Sequence, residues 1–311
     1  MRVFVTGGSG FIGGAVVRQL VRRGHRVTSL ARTEAGAEVV RRNGAEVVPG
    51  DMNDREALER GMAGAQAVVH AASPASAERP PRGKGWQAVI AEKVQATELL
   101  AEAALRNRVE VFVMSGGARV ARPAEPGGWV NEAIPPAIHS PVSRLLLDPE
   151  NVVRLARLER KLPAVCMRPS FAYGSGGTFG GFMVPAMQSG NFLLYGSGEY
   201  WWSVAHVDDV AEAYALAVEQ MPVGETFIVA DDHPVKFKDF VTYTAELLKV
   251  RGPRSIPVWL ARMVAGADRL EYLMVDARYS NAHIKQVLGW QARYPSYREG
   301  VPVALAEIAN A

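Results

Sequence analysis

The chain has 311 residues and a formal net charge of +3; 48% of the residues are apolar and 22% are charged. This composition is typical of a globular enzyme that acts on a small molecule, and it excludes a disordered or fibrous protein. The sequence has no long run of Lys or Arg and no apolar stretch of the roughly 18 residues that span a bilayer, so we expect neither a nucleic-acid nor a membrane partner.

Short apolar runs in the first half of the chain predict buried parallel strands, because each run is apolar on both faces. They cover residues 2–6, 26–30, 46–48, 67–71, 110–114 and 164–167, the last including the single cysteine, Cys166. The first run begins at the N-terminus and leaves no room for a signal peptide. We therefore expect a cytoplasmic location.

Helical patterns separate these runs. They cover residues 11–23, 33–43, 53–62, 86–107 and 148–161, and Asp148 followed by Pro149 is typical of a helix start. Strands and helices that alternate at this spacing predict an α/β fold with a doubly wound parallel sheet.

The character of the chain changes after Met167. Residues 173–203 are rich in glycine and aromatic residues, and a further strand at 226–230 and a helix at about 238–250 follow. We predict a Rossmann-type domain from residues 1–172, to which 204–232 return. A smaller interleaved C-terminal substrate-binding cap, built from residues 173–203 and 233–311, lies over the edge where such folds bind ligands.

The cap segment carries two clues to the substrate. Its aromatic side chains either line an apolar pocket or form the core of the cap itself; they are Phe179, Phe182, Phe192, Tyr195, Tyr200, Trp201 and Trp202. Residues 173–203 contain no Lys or Arg, so a clamp for a diphosphate is missing there. We expect a neutral or apolar substrate.

A glycine-rich turn follows the first strand and opens the first helix, in Thr6-Gly7-Gly8-Ser9-Gly10-Phe11-Ile12-Gly13. Gly7 permits a tight turn, Gly10 lets the backbone approach a pyrophosphate, and Gly13 lets the helix pack on the sheet. The phosphates then lie at the positive helix N-terminus, beside Phe11 and Ile12.

The ends of the next strands predict which dinucleotide binds. The second strand is followed by Arg32 instead of the acidic residue that holds the ribose of NAD, and an arginine accommodates the 2′-phosphate of NADP. NADP(H) is therefore the predicted cofactor, with NAD as the alternative. The adenine is expected beside Asp51 and Met52, and the ribose beside Ala71, Ala72 and Ser73.

These motifs resemble those of the extended and atypical short-chain dehydrogenases/reductases, the NAD-dependent epimerase/dehydratase family. The resemblance covers nearly the whole chain; it includes the glycine turn, Gly50-Asp51, Val69-His70-Ala71-Ala72, Arg168-Pro169, Tyr173-Gly174, His206-Val207-Asp208-Asp209-Val210-Ala211 and Leu288-Gly289-Trp290. It implies a nicotinamide cofactor that exchanges a hydride with the substrate and contacts Pro169. It also implies a homodimer formed through the long helices.

The chain departs from the family at the catalytic residues. The family uses Ser or Thr with a Tyr-x-x-x-Lys pair, whereas here the hydroxyl position is Gly117, two residues after Ser115. One alignment register puts Val142 and Leu146 at the Tyr and Lys positions, and another puts Ser140 and Arg144 there. Neither register supplies a phenol.

Three functions follow from this departure. The first, which we favour, is an oxidoreductase acting on a carbonyl or hydroxyl compound with substitute acid–base groups. The protic candidates are Ser115, His139, Ser140 and Tyr173, with Lys93, at the usual Asn position, or Arg144 as the positive charge. The second is a redox-neutral lyase, isomerase or cyclase that keeps the cofactor as a scaffold, and the third is an NADP-sensing binding protein. The histidines lack metal-ligand spacing, so no metal site is expected.

Overall fold

The computed structural model describes residues 1–73 and 85–310. The strands are, in chain order, β1 (Arg2–Thr6), β2 (Arg26–Ala31), β3 (Glu46–Pro49), β4 (Ala67–His70), β5 (Val111–Ser115), β6 (Trp129–Val130), β7 (Ala164–Pro169), β8 (Phe171–Tyr173), β9 (Leu193–Tyr195), β10 (Trp201–Trp202), β11 (Val204–His206), β12 (Thr226–Val229), β13 (Val235–Lys236), β14 (Arg254–Ile256) and β15 (Arg278–Tyr279). The helices are α1 (Phe11–Arg22), α2 (Glu34–Arg42), α3 (Arg55–Met62), α4 (Gly85–Arg106), α5 (Pro141–Arg160), α6 (Val184–Gln188), α7 (Val207–Gln220), α8 (Phe237–Leu248), α9 (Val258–Ala265), α10 (Ala267–Leu273), α11 (Ala282–Leu288) and α12 (Tyr297–Ala309). Among these described residues, no helix combines the length and the apolar character that crossing a bilayer needs.

Seven parallel strands form the central sheet in the order β3-β2-β1-β4-β5-β7-β12. Both faces of this sheet are covered, because alternate residues of β1 enter different cores. Val3 and Val5 pack with α1 and α7, and Phe4 packs with α3 and α4. The predicted α/β doubly wound sheet is confirmed. The strand order reverses between β1 and β4, where folds of this class bind their ligands.

The predicted start of the fifth helix at Asp148 is wrong. Helix α5 begins at Pro141, and the Ser140 hydroxyl caps it by accepting the Ser143 N–H while Ser143 Oγ accepts the Ser140 N–H. Pro149 lies inside the helix and is buried. Two helix-start signals were present in the sequence. The helix begins at the upstream capping box, because the packing of α5 on the sheet stabilises it by more than the loss of the hydrogen bond at Pro149 costs.

The second region contains its own aromatic cluster, which joins residues of β8–β11 to α8 and α12. Phe179, Phe192, Tyr200 and Trp202 are buried in it, whereas Phe182 is exposed. These rings form a core and do not line the main cleft, so the second of the two sequence alternatives describes them. Helix α11, within the range assigned to the cap, packs instead beside the sheet, against α7 and β12.

Candidate active site

A cleft of about 650 Å³ opens at the carboxyl ends of the central strands, across the point where the strand order reverses. Most of the residues that the sequence assigns to the cofactor line this cleft. They are Gly7, Gly10, Phe11, Ile12, Arg32, Asp51, Met52, Ala71, Ala72, Ser73 and Pro169. Gly13 does not line the cleft. We refer to the part formed by Gly7, Ser9–Ile12, Arg32 and Asp51 as the glycine end. The part formed by Arg119, Phe171, Tyr272 and Leu273 is the aromatic end.

The glycine turn is built for a close approach of backbone to ligand. Gly7 has φ +81°, and a Cβ there would lie 2.8 Å from the backbone of Ala72. A Cβ on Gly13 would lie 2.1 Å from the carbonyl oxygen of Gly7, so Gly13 serves the packing of α1 against its own turn. No side chain caps α1 at Gly10. Gly10, Phe11 and Ile12 line the cleft, so the uncapped N-terminus of α1 lies where it suits a pyrophosphate.

The end of β2 supplies a positive charge to the same end of the cleft. Arg32 is exposed there, and its neighbour Thr33 accepts the Gly36 N–H as the cap of α2. Across the cleft, the Asn53 N–H donates to Asp51 Oδ1 at 2.7 Å, which fixes the position of that carboxylate. These residues fit the adenosine half of a nicotinamide dinucleotide.

Lys93, on α4, lines the cleft although its side chain is only 3% exposed. Its ammonium group donates to Ser73 Oγ at 3.4 Å. Burial lowers the pKa of Lys93 to about 8, because the charged form loses its hydration. A lysine with this pKa exchanges a proton near neutral pH.

A buried hydrogen-bond chain holds Lys93 in place. Thr97 Oγ donates to the Lys93 carbonyl oxygen at 2.8 Å, and it lies 3.0 Å from His70 Nε2. Thr6 Oγ lies 2.9 Å from His70 Nδ1, so the imidazole donates from Nε2 and accepts at Nδ1. Burial, and then the charge of Lys93, lower the pKa of His70 to about 3. His70 therefore stays neutral and anchors α4 to β1 and β4.

Apolar packing occupies the position of the family's usual catalytic pair. Leu146 lines the cleft from α5, and a Cβ on Gly117 would lie 2.9 Å from Leu146 Cδ1. The two sequence registers put Leu146 or Arg144 at the Lys position of the family. The structure brings Leu146 to the cleft and leaves Arg144 exposed. The hydroxyl that remains at the end of β5 is that of Ser115, which accepts the Tyr214 O–H at 2.7 Å.

Several sequence candidates do not reach the cleft. Ser140 is committed to the cap of α5, and Arg144 donates to Asp148 at 3.1 Å on the surface. His139 is exposed; partial burial and then Arg122 lower the pKa of its imidazole. The structure therefore corrects the assignment of these three side chains to catalysis, because His139 and Ser140 at the start of α5 and Arg144 in its first turns do not line the cleft.

Tyr173 is also corrected. Its side chain is fully buried among Phe179, Phe240 and His206, with ring centroids 5.5–5.8 Å apart. Burial, and then the charge of Asp231, raise the pKa of the phenol well above its usual range. A phenol in this environment neither meets the substrate nor ionises.

The residues of the aromatic end are absent from the sequence-based predictions. Arg119 follows Gly117 and Ala118 after β5, and it could have been noticed because strand ends meet at the site. Tyr272 and Leu273 end α10, far along the chain, and no local pattern marks them.

Comparison with known proteins places this geometry in a family. Residues 3–230 match the family model described as NAD dependent epimerase/dehydratase family. A ketoreductase of Stigmatella aurantiaca, named for 4-hydroxy-2-methyl-3-oxo-4-farnesyl-3,4-dihydroquinoline-1-oxide, is 31% identical over 85% of this chain and 79% of its own. The 3-diazoavenalumate denitrifying reductase of a Streptomyces species is 29% identical over 97% of this chain and 99% of its own.

A solved structure shows the same fold. The dTDP-glucose 4,6-dehydratase DesIV of Streptomyces venezuelae, determined with NAD and TYD bound, superposes with a TM-score of 0.84. The match covers 100% of this chain and 97% of that one, at 22% identity.

Proposed function

This chain is an enzyme of the NAD dependent epimerase/dehydratase family, and from that premise we propose that it is an NADP(H)-dependent reductase of a small carbonyl compound in which Lys93 supplies the proton. The observation that carries the proposal is the position of Lys93. It is a buried ammonium at the wall of the cleft, in a chain without Tyr-x-x-x-Lys. The two relatives named as reductases support the redox direction.

The division of labour follows from the side chains. A bound nicotinamide supplies the hydride that adds to the carbonyl carbon, with NADPH oxidised to NADP⁺. The Lys93 ammonium donates the proton that the carbonyl oxygen takes up, which balances the reduction to an alcohol. Ser115 can donate its own O–H toward that oxygen, because the Tyr214 O–H already occupies one of its lone pairs.

The choice of NADP(H) rests on Arg32. The end of β2 presents this arginine to the cleft and no acidic side chain replaces it there. A guanidinium pairs with the 2′-phosphate, whereas an acidic residue would repel it.

We also propose that residues 173–203 and the helices α9 and α10 form the cap over the substrate.

The test is NADPH oxidation with a panel of ketones, followed by the change in nicotinamide absorbance. Lys93 must be protonated to donate a proton, so the rate of carbonyl reduction should fall as the pH rises through about 8. Lys93→Met should lose at least about 100-fold in kcat, the lower end of what a general acid contributes. In Lys93→Arg the rate should no longer fall as the pH rises through about 8, because a guanidinium stays protonated there. The control is Lys238→Met, since Lys238 lies on α8 outside the cleft.

Two results would contradict the proposal. One is full activity of Lys93→Met with an unchanged pH profile. The other is conversion of a substrate while the total of NADPH stays constant, which would point to a redox-neutral reaction with the cofactor as scaffold.

A further inference from the structure

The aromatic end of the cleft holds a buried positive charge. Arg119 lies on the short turn Ala118–Val120 after β5, lines the cleft and is only 5% exposed. Among the residues that the structure describes, no carboxylate pairs with it.

Aromatic rings and one carbonyl hold the Arg119 side chain in position. The guanidinium carbon lies 4.2 Å from the ring centroid of Trp202 and 5.5 Å from that of Tyr272. Nη1 donates to the Tyr272 carbonyl oxygen at 3.4 Å. Nη2 is buried and has no hydrogen-bond partner. The group is thus fixed in direction while part of its hydrogen-bonding capacity is unused.

This arrangement is unfavourable for the protein alone. A buried guanidinium without a counterion loses its hydration and gains too little in return. The same chain shows the usual solution at Arg168, which is buried against Glu150 with Nε 3.1 Å from the carboxylate. Arg119 lacks such a partner, and it is the one that faces the cleft.

A second unpartnered group lies on the same wall. The hydroxyl of Ser170, directly after β7, is buried without a hydrogen-bond partner and Ser170 lines the cleft. Phe171, the next residue in the chain, and Tyr272 also line the cleft. The aromatic end therefore offers two hydrogen-bond donors without partners, Arg119 Nη2 and the Ser170 hydroxyl, next to apolar walls.

We propose that Arg119 binds a carboxylate of the substrate, so that the compound reduced is an oxo acid with an apolar body. This inference rests on the proposed function and names its substrate class. It replaces the expectation of a neutral substrate, which considered only residues 173–203 and therefore did not include Arg119. A charge-assisted bond to a fixed guanidinium favours the acid over its uncharged amide by about 10- to 100-fold.

The test measures binding without turnover. Hydrocinnamate and hydrocinnamide are titrated into the NADP⁺-loaded protein, and tryptophan fluorescence reports occupancy beside Trp202. The wild type should bind the acid at least about tenfold more tightly than the amide. Arg119→Met should bind the acid and the amide equally. Arg119→Lys should keep part of the preference for the acid. Arg278→Met is the matched control, because Arg278 also stacks on tryptophan rings, at 5.2 and 5.3 Å, but lies outside the cleft.

Several results would overturn the inference. They are equal binding of acid and amide by the wild type, no measurable binding of hydrocinnamate, or an unchanged preference in Arg119→Met. If Arg119→Met does not fold, Arg119→Lys decides the question, and equal binding of acid and amide by a folded Arg119→Lys would show that the arginine only ties the turn to Trp202. The proposed function fails separately, since a carboxylate preference without NADPH oxidation would leave the subsite standing.

Discussion

Replacing Lys93 by methionine should make the protein more stable at neutral pH, although it removes the proposed proton donor. Methionine has a similar length and no charge, so it fills the same space beside Ser73 without a hydration loss. The lowered pKa of Lys93, about 8 against an ordinary value of 10.5, reflects that loss in the native protein.

The magnitude follows from the pKa difference. A shift of about 2.5 units corresponds to about 3 kcal/mol of lost stability at pH 7, where Lys93 is protonated in both states. Between pH 8 and 10.5 the unfolded chain binds more protons than the native one, so the stability of the wild type rises with pH. The advantage of Lys93→Met should therefore shrink to about 1 kcal/mol at pH 9.5.

Urea unfolding of both proteins without cofactor, at pH 7 and pH 9.5, measures this difference directly. Lys238→Met serves as the control; it removes a half-exposed lysine, paired with Glu199, and should change stability by less than about 1 kcal/mol at both pH values. The reasoning is refuted if Lys93→Met is less stable than the wild type at pH 7, or if its advantage does not depend on pH.

Three further changes test neighbouring parts of the account. Arg32→Gln should weaken NADPH binding about 10- to 100-fold and leave NADH binding nearly unchanged, as measured by fluorescence titration, whereas equal losses would exclude a 2′-phosphate contact. Tyr173→Phe should leave kcat within about twofold and stability within about 1 kcal/mol, since the buried hydroxyl has no partner; a large loss of activity would restore Tyr173 as a catalyst. Gly117→Ser should destabilise by about 1 kcal/mol in thermal unfolding, because its Cβ meets the end of the Leu146 side chain, which must shift toward the cleft. Adding Leu146→Ala should recover part of that loss, and simple additivity of the two changes would contradict the contact.

The sequence predicts the sheet well because its signals are local. The inner strands are apolar runs buried on both faces, whereas the edge strand β3 is only partly buried. Most predicted ends agree with the structure to within a residue or two, as for β2 and β4. The glycine turn is equally local, since Gly7 needs a positive φ and Gly13 a close approach. These requirements act over a few residues and leave a clear pattern.

The residues that we propose for catalysis and substrate binding were harder to predict, because their roles depend on what packs across the cleft. Lys93 was identified only as a charge replacing an Asn, and its lowered pKa follows from burial that no sequence pattern reports. Tyr173 carries a family motif, yet its ring enters the aromatic core. Arg119 belongs to the site only through contacts with Trp202 and Tyr272, which lie far away in the sequence.

The central claim is tested most directly by a crystal structure with NADP⁺ and hydrocinnamate bound. We expect the 2′-phosphate at Arg32, the carboxylate at Arg119, and Lys93 Nζ near the nicotinamide, so that a substrate oxygen can lie about 3–3.5 Å from the ammonium. A nicotinamide ring that is disordered, or that faces only apolar side chains with Lys93 turned away, would contradict a reductase built on Lys93.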